Sequence, residues 1–170
     1  ILSEKVTKLA NEAVSFLLNS KQDANKHTFY FPDTICKENQ TNLGRLAWCY
    51  NDLGISYVLW QTGRVFGNKD WEEEATKILL NTTTITEAKD HKVLDAEFCH
   101  GAAGIAHIYN RMYSHTNIET FKNASTYWFE QCLTMSTFND GLAGYKLYKG
   151  SNHGGWQNEY GFLQGIIGIG

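Results

Sequence analysis

The residues of this chain best suited to chemistry are two cysteines and a histidine. Cys49 and Cys99 lie fifty positions apart, and His100 directly follows Cys99. Two sulfurs and one imidazole nitrogen form a donor set that suits zinc. Three protein ligands leave one position of a tetrahedral ion open, which distinguishes catalytic zinc sites from closed structural ones. The residue types therefore predict a catalytic zinc site at Cys49, Cys99 and His100.

An internal repeat predicts that Cys49 and Cys99 lie close together in the fold. Residues 49–55 and 99–105 share the pattern C-x-x-x-x-G-I, and residues 163–169 keep its glycine and isoleucine but begin with Leu163. Equivalent positions in a ring of repeats point at one central region, so the two thiols should converge. The recurring glycine allows a tight turn and a close approach between the helix end and its neighbour.

The competing interpretation is structural, because a buried cysteine is usually a small core hydrophobe. Cys36 and Cys132 have neither a repeat partner nor an adjacent histidine, and we predict structural roles for both. The repeat and the neighbouring His100 favour a shared metal for Cys49 and Cys99.

Composition limits the class of protein. The chain has 170 residues, of which 42% are hydrophobic and 14% aromatic, with a net charge of −3. This is a core-forming composition, and no cluster of Lys and Arg favours nucleic acid. No apolar run reaches the roughly 20 residues of a membrane helix. Four cysteines are too few for a disulfide framework, so we predict a reducing, cytoplasmic location.

The elements that must position the site are helices. Amphipathic helices are predicted over residues 3–18, from an N-cap at Asp70 and from an N-cap at Thr116. Stretches 54–65 and 104–113 are apolar on most sides, as enclosed helices are. This alternation predicts an all-α fold with an outer and an inner helix layer, joined by long loops over 20–44 and 136–161. An open stack of helix pairs and a closed α/α toroid both fit. The third unit stops at Gly170, where its inner helix should begin, which indicates part of a larger array.

Three segments carry a resemblance to a known family. Residues 45–50 read RLAWCY, residues 98–104 read FCHGAAG and residues 161–168 read GFLQGIIG. In this order and at these separations they resemble the three motifs of the lanthionine synthetase C-like cyclases. The resemblance implies a single domain over residues 1–170, the C-terminal part of a larger α/α toroid, with short β-strands allowed in its long loops. It also implies zinc held by Cys49, Cys99 and His100.

The same resemblance implies an activity. Its substrate would be a dehydrated precursor peptide, in which a zinc-activated cysteine thiol adds to dehydroalanine or dehydrobutyrine and closes a thioether ring. Arg45 matches an active-site arginine of the family, where it would steady the enolate or clamp the ligand loop. Asn51 stands where the family has glycine, and asparagine also tolerates a left-handed conformation. A dehydratase is an implied partner.

Some assignments stay open at this point. The family's general acid, an upstream histidine, has no counterpart here. His107 either faces the cavity or, as burial tendencies favour, is a core histidine. The alternative function is a non-cyclising zinc protein of the same superfamily that binds glutathione or another small thiol, or acts as a regulatory scaffold. An unrelated toroid such as a glycoside hydrolase is disfavoured, because 54–65 and 104–113 contain no carboxylate.

Overall fold

The computed structural model describes residues 3–23, 26–35, 44–86 and 91–170. Helices dominate these ranges: α1 (Glu4–Asn19), α2 (Asn51–Phe66), α3 (Lys69–Thr82), α4 (Ala102–Thr116), α5 (Glu119–Thr134) and the short α6 (Ile166–Ile169). Between α5 and α6, strands β1 (Leu147–Tyr148) and β2 (Trp156–Gln157) pair antiparallel, with Leu147 opposite Gln157. The predicted all-α fold with short strands is confirmed.

Packing arranges the central helices in two layers. Helix α2 packs against α3, α4 packs against α5, and α2 touches α4. The apolar stripes of α3 and α5 face the core, as their period predicts; the buried members are Ala75, Ile78, Leu79, Phe121, Trp128 and Cys132. Helix α4 is the most enclosed, with eight buried residues. Each inner helix is thus covered by the outer helix that follows it in sequence.

Two predicted helix starts are displaced by two residues. Helix α3 is capped by Asn68, whose side-chain oxygen accepts the Trp71 N–H at 3.2 Å, so Asp70 lies in the first turn instead of at the cap. Helix α5 begins after Ile118, because Thr116 still belongs to α4. The left-handed residue Asn117, with φ of 55°, ends α4 at Thr116, three positions beyond the predicted stretch 104–113.

Helix α1 forms where predicted, but its apolar stripe is not buried. Val6, Leu9 and Phe16 are 44%, 56% and 58% exposed, and Val14 is the buried residue of the helix. A Lys21–Glu74 ion pair ties the end of this segment to α3. An amphipathic helix is expected to bury its stripe, but no layer of the described residues covers these three side chains.

Of the two cysteines predicted to be structural, the structure describes one. Cys132 is buried in the core, as predicted for a structural residue, whereas Cys36 lies outside the described residues. Within the described ranges, no helix combines the length and apolarity needed to cross a membrane.

Candidate metal centre

The repeated glycine places each inner helix directly against the turn that precedes it. A Cβ at Gly54, Gly104 or Gly168 would collide with a main-chain carbonyl oxygen, which belongs to Trp48, Phe98 and Phe162 respectively. Each of those aromatic residues directly precedes the cysteine position of its repeat. Glycine is therefore required in all three copies for close backbone approach, and the helix start fixes the turn that carries Cys49, Cys99 or Leu163.

Polar side chains hold the first of these turns. Asn51 has φ of 47°, so it adopts the left-handed conformation expected of a residue standing in place of glycine. Its side-chain amide donates to Asp33 Oδ1 at 2.8 Å. Asp52 is fully buried and accepts the N–H groups of Tyr30 and Phe31 at 2.8 and 2.9 Å. The Cys49 turn is thereby attached to the segment that precedes it.

The three predicted ligand atoms lie together. The sulfurs of Cys49 and Cys99 are 3.3 Å apart, and Cys99 Sγ is 3.6 Å from His100 Nε2. All three atoms lie within 4.8 Å of one another. Zn–S bonds of ~2.3 Å and a Zn–N bond of ~2.0 Å at tetrahedral angles would set these separations at about 3.8 and about 3.6 Å. The donor set therefore suits one zinc ion in its chemistry, and the Cys99–His100 spacing matches the zinc value. The two sulfurs would have to move apart by about 0.5 Å to bind the ion.

A buried carboxylate that sequence reasoning missed supports His100. Glu97 is 2% exposed, and its Oε1 lies 2.5 Å from His100 Nδ1 and accepts the His100 N–H at 2.8 Å. With Nδ1 engaged in this way, Nε2 is the nitrogen left for the sulfurs. The sequence shows only an acidic residue three positions before the histidine, and nothing in it marks that residue as buried.

The electrostatics of the pair favour a cation. Burial, followed by the neighbouring Cys99, raises the pKa of Cys49 to about 12, and the charge of Arg45 opposes this rise. Without a cation the Cys49 thiol is therefore neutral at physiological pH. A divalent ion at this point would supply the charge that two adjacent thiolates need.

Arg45 lies within electrostatic reach of the site. Burial raises the pKa of Cys49 and the pKa of Asp95, and the positive charge of Arg45 opposes both rises. The Tyr148 N–H also opposes the rise at Asp95. Arg45 is half-buried, and its Nε has no hydrogen-bond partner among the described residues. The structure brings this predicted active-site residue close to Cys49; its catalytic role stays a prediction.

The third repeat copy supports the ligand turn although it lacks a cysteine. The carbonyl oxygen of Leu163 accepts the Cys99 N–H at 2.8 Å. The aromatic residues of the three copies lie in a row, with ring centroids 5.8 Å apart for Trp48 and Phe98 and 5.1 Å apart for Phe98 and Phe162. The copy that cannot bind metal through sulfur thus holds Cys99 through its backbone.

His107 is not the core histidine that burial tendencies favoured. It is exposed on α4, and its ring lies 5.4 Å from that of Phe98. Partial burial, followed by the charge of Arg111, lowers the pKa of His107. The inner helix turns this position away from its outer partner, which explains the difference. His153 is exposed in a 3-10 turn over Ser151–His153.

Comparison with known proteins agrees with the fold. A family model described as "Lanthionine synthetase C-like protein" matches residues 1–170. Among solved structures, nisin cyclase is similar, with a TM-score of 0.69 and 21% identity over 98% of this chain. The match covers 39% of the nisin cyclase chain, and at this identity it shows a common fold. No curated protein sequence matches the chain.

Proposed function

Because this chain belongs to the lanthionine synthetase C-like family, we propose that it is part of a zinc-dependent peptide cyclase that forms thioether rings. The observation that supports the proposal is the convergence of Cys49, Cys99 and His100, whose ligand atoms lie within 4.8 Å of one another. We further propose that residues 1–170 are the C-terminal part of a larger α/α toroid, since they span 39% of the nisin cyclase chain.

Each of the three predicted ligands would contribute one atom to the ion. Cys49 and Cys99 would bind through sulfur and His100 through Nε2, which leaves one tetrahedral position for substrate. Zinc, when bound, lowers the pKa of a coordinated thiol and supplies a thiolate at neutral pH. Cys49 is exposed while Cys99 and His100 are half-buried, so the site is open to a peptide on the Cys49 side.

The bond changes are those of a conjugate addition. The substrate sulfur attacks the β-carbon of dehydroalanine or dehydrobutyrine, and the electrons of the carbon–carbon double bond move to form an enolate. The α-carbon then takes a proton, while the proton of the original thiol passes to solvent. Arg45 would stabilise the enolate with its positive charge. We propose that the proton donor comes from the part of the toroid outside residues 1–170.

Metal analysis tests the site. Purified wild-type protein should contain about one zinc per chain, as one tetrahedral site requires. Cys49→Ala and Cys99→Ala should each lose it, whereas Cys132→Ala, which removes a buried core cysteine, should retain it. Wild-type protein that takes up no zinc when refolded in its presence would rule out the metal centre.

The activity is tested with the full-length protein and a dehydrated precursor peptide. Cyclisation leaves the peptide mass unchanged but removes a free thiol, so alkylation followed by mass spectrometry should show fewer labelled cysteines after incubation. A zinc-loaded protein that leaves the thiol count unchanged, yet binds glutathione, would favour the non-cyclising alternative. The dehydratase partner and the cytoplasmic location are proposals that this experiment does not require.

A further inference from the structure

The carboxylate of Glu97 occupies an unusual position for a charged group. The residue is 2% exposed, and its Oε2 has no hydrogen-bond partner among the described residues. A buried carboxylate without full compensation is costly, since truly buried charges are normally paired or coordinate metals. The buried Glu97 carboxylate is expected to have a polar partner, and the structure places the His100 ring against it.

The turn from Glu97 to Gly101 is built to bring the carboxylate to the imidazole. A Cβ at Gly101 would collide with main-chain atoms of Glu97 and Asp95, so this close turn requires glycine. The compact turn lets one oxygen, Oε1, contact both the backbone N–H and the Nδ1 of His100, at 2.8 and 2.5 Å. Both contacts constrain the same ring.

Two contacts to one oxygen fix the state of the imidazole. A carboxylate can only accept, so Nδ1 must carry the proton. Nε2 then presents its lone pair, 3.6 Å from Cys99 Sγ, on the side where the sulfurs lie. Carboxylates that hold the second nitrogen of a metal-binding histidine set its tautomer and raise its basicity.

From this geometry, and resting on the zinc site proposed above, we infer that Glu97 is a positioning residue that holds His100 in its Nδ1–H tautomer and thereby strengthens metal binding. The tautomer is set before any metal arrives, because the contacts exist in the protein's own backbone and side chains. The charge of Glu97 also offsets part of the charge of the ion. These two contributions are separable by substitution.

The test uses two substitutions in the full-length protein. Glu97→Gln keeps an oxygen that accepts from Nδ1–H but removes the charge, whereas Glu97→Ala removes both. Glu72→Gln is the matched control, because Glu72 is also largely enclosed, with a side chain 14% exposed, and pairs with Lys69 on α3 away from the site. Zinc affinity is measured by competition with a chromophoric chelator. The His100 tautomer is read in metal-free protein at pH 8 from long-range proton–nitrogen NMR correlations.

We expect zinc affinity to fall about 10- to 100-fold in Glu97→Ala, less in Glu97→Gln, and not at all in Glu72→Gln. The Nδ1–H tautomer should persist in Glu97→Gln and lose its dominance in Glu97→Ala. Wild-type zinc affinity or an unchanged tautomer in Glu97→Ala would overturn the inference. If Glu97→Ala does not fold, a dominant Nε2–H tautomer in metal-free wild-type protein overturns it.

The failure of the proposed function would look different. Wild-type protein that binds no zinc would remove the metal centre, while the tautomer in metal-free protein would still report whether Glu97 holds His100. A dominant Nε2–H tautomer in wild-type protein would overturn the role of Glu97 even if zinc binds.

Discussion

At the scale of single residues, Asp52 links the ligand turn to the pH dependence of stability. Its carboxyl is fully buried at the start of α2. Burial raises its pKa from 3.8 to about 6, against the opposing effect of the Tyr30 and Phe31 N–H groups. The folded chain therefore binds a proton at Asp52 more tightly than the unfolded chain does, and this group lowers stability as pH rises through that window.

The Asp52→Asn variant makes this contribution measurable. A neutral amide does not ionise, so the stability of the variant should stay level between pH 4 and pH 7, whereas wild type loses up to about 3 kcal/mol over this window for a shift of this size. Urea denaturation at a series of pH values measures the difference. Glu130→Gln, at an exposed position of α5, should follow the wild-type curve. Parallel curves for wild type and Asp52→Asn would contradict the prediction.

Arg45 provides a second test at the residue level. Arg45→Gln removes the charge near Cys49, and we expect the cyclisation rate to fall about 10²-fold, as for loss of one transition-state donor. Zinc content should be unchanged, because Arg45 supplies no ligand atom. Arg64→Gln is the matched control, since Arg64 lies in the last turn of α2, whereas Cys49 precedes its first. A loss of zinc in Arg45→Gln would show that Arg45 clamps the ligand loop instead.

At the scale of elements, the fold repeats one contact three times: the first turn of a helix packs against the turn that carries Cys49, Cys99 or Leu163. Gly54, Gly104 and Gly168 each lie against the carbonyl of the residue before the cysteine position. A backbone carbonyl cannot move aside as a flexible side chain can. The identity of one residue in each helix therefore controls the placement of the preceding turn.

Gly104→Ala tests this contact. The added methyl must displace the Phe98 carbonyl, and we expect a loss of about 1–3 kcal/mol, typical of overpacking, together with weaker zinc binding through the shifted Cys99 turn. Thermal denaturation and zinc competition measure the two effects. Gly161→Ala is the control, because a Cβ there meets nothing within 4 Å. Equal stability of the two variants would show that the turn yields without cost.

At the scale of the whole molecule, apolar residues lie exposed along the outer edges of the described helices. Val58 and Val65 of α2 are 62% and 66% exposed, and Leu133 of α5 is 72% exposed. The Val6, Leu9 and Phe16 stripe of α1 is also open. Apolar surface on this scale commonly marks a contact with another element. The chain spans 39% of the nisin cyclase chain, to which its fold is similar.

Val65→Asp tests whether the rest of a toroid covers this edge. In the full-length protein we expect the charge to lower stability by several kcal/mol, because an unpaired buried carboxylate is strongly disfavoured. Thr126→Asp is the control, since Thr126 is exposed on the outer helix α5. Chemical denaturation measures both variants. If Val65→Asp is as stable as Thr126→Asp, the α2 face is open to solvent in the intact protein.

The sequence by itself determined the helix layers and singled out the three predicted ligand residues, whose ligand atoms lie within 4.8 Å of one another. Helical periodicity located α1, α3 and α5, and the stretches 54–65 and 104–113, apolar on most sides, located the enclosed helices α2 and α4. The repeat brought Cys49 and Cys99 to equivalent positions, and their sulfurs lie 3.3 Å apart. Asn51 was expected to replace glycine in a left-handed turn and does so, with φ of 47°.

Only the tertiary structure decided what depends on neighbours distant in the chain or on the direction of a side chain. Asn68, and not Asp70, caps α3 because its side-chain oxygen accepts the Trp71 N–H. The apolar stripe of α1 is exposed because no described layer covers it. His107 is exposed because its position on α4 turns away from the outer helix α5. The role of Glu97 was hidden, since an acidic residue in a sequence carries no mark of burial. Its contact with His100 exists because the Gly101 turn folds the carboxylate onto the ring.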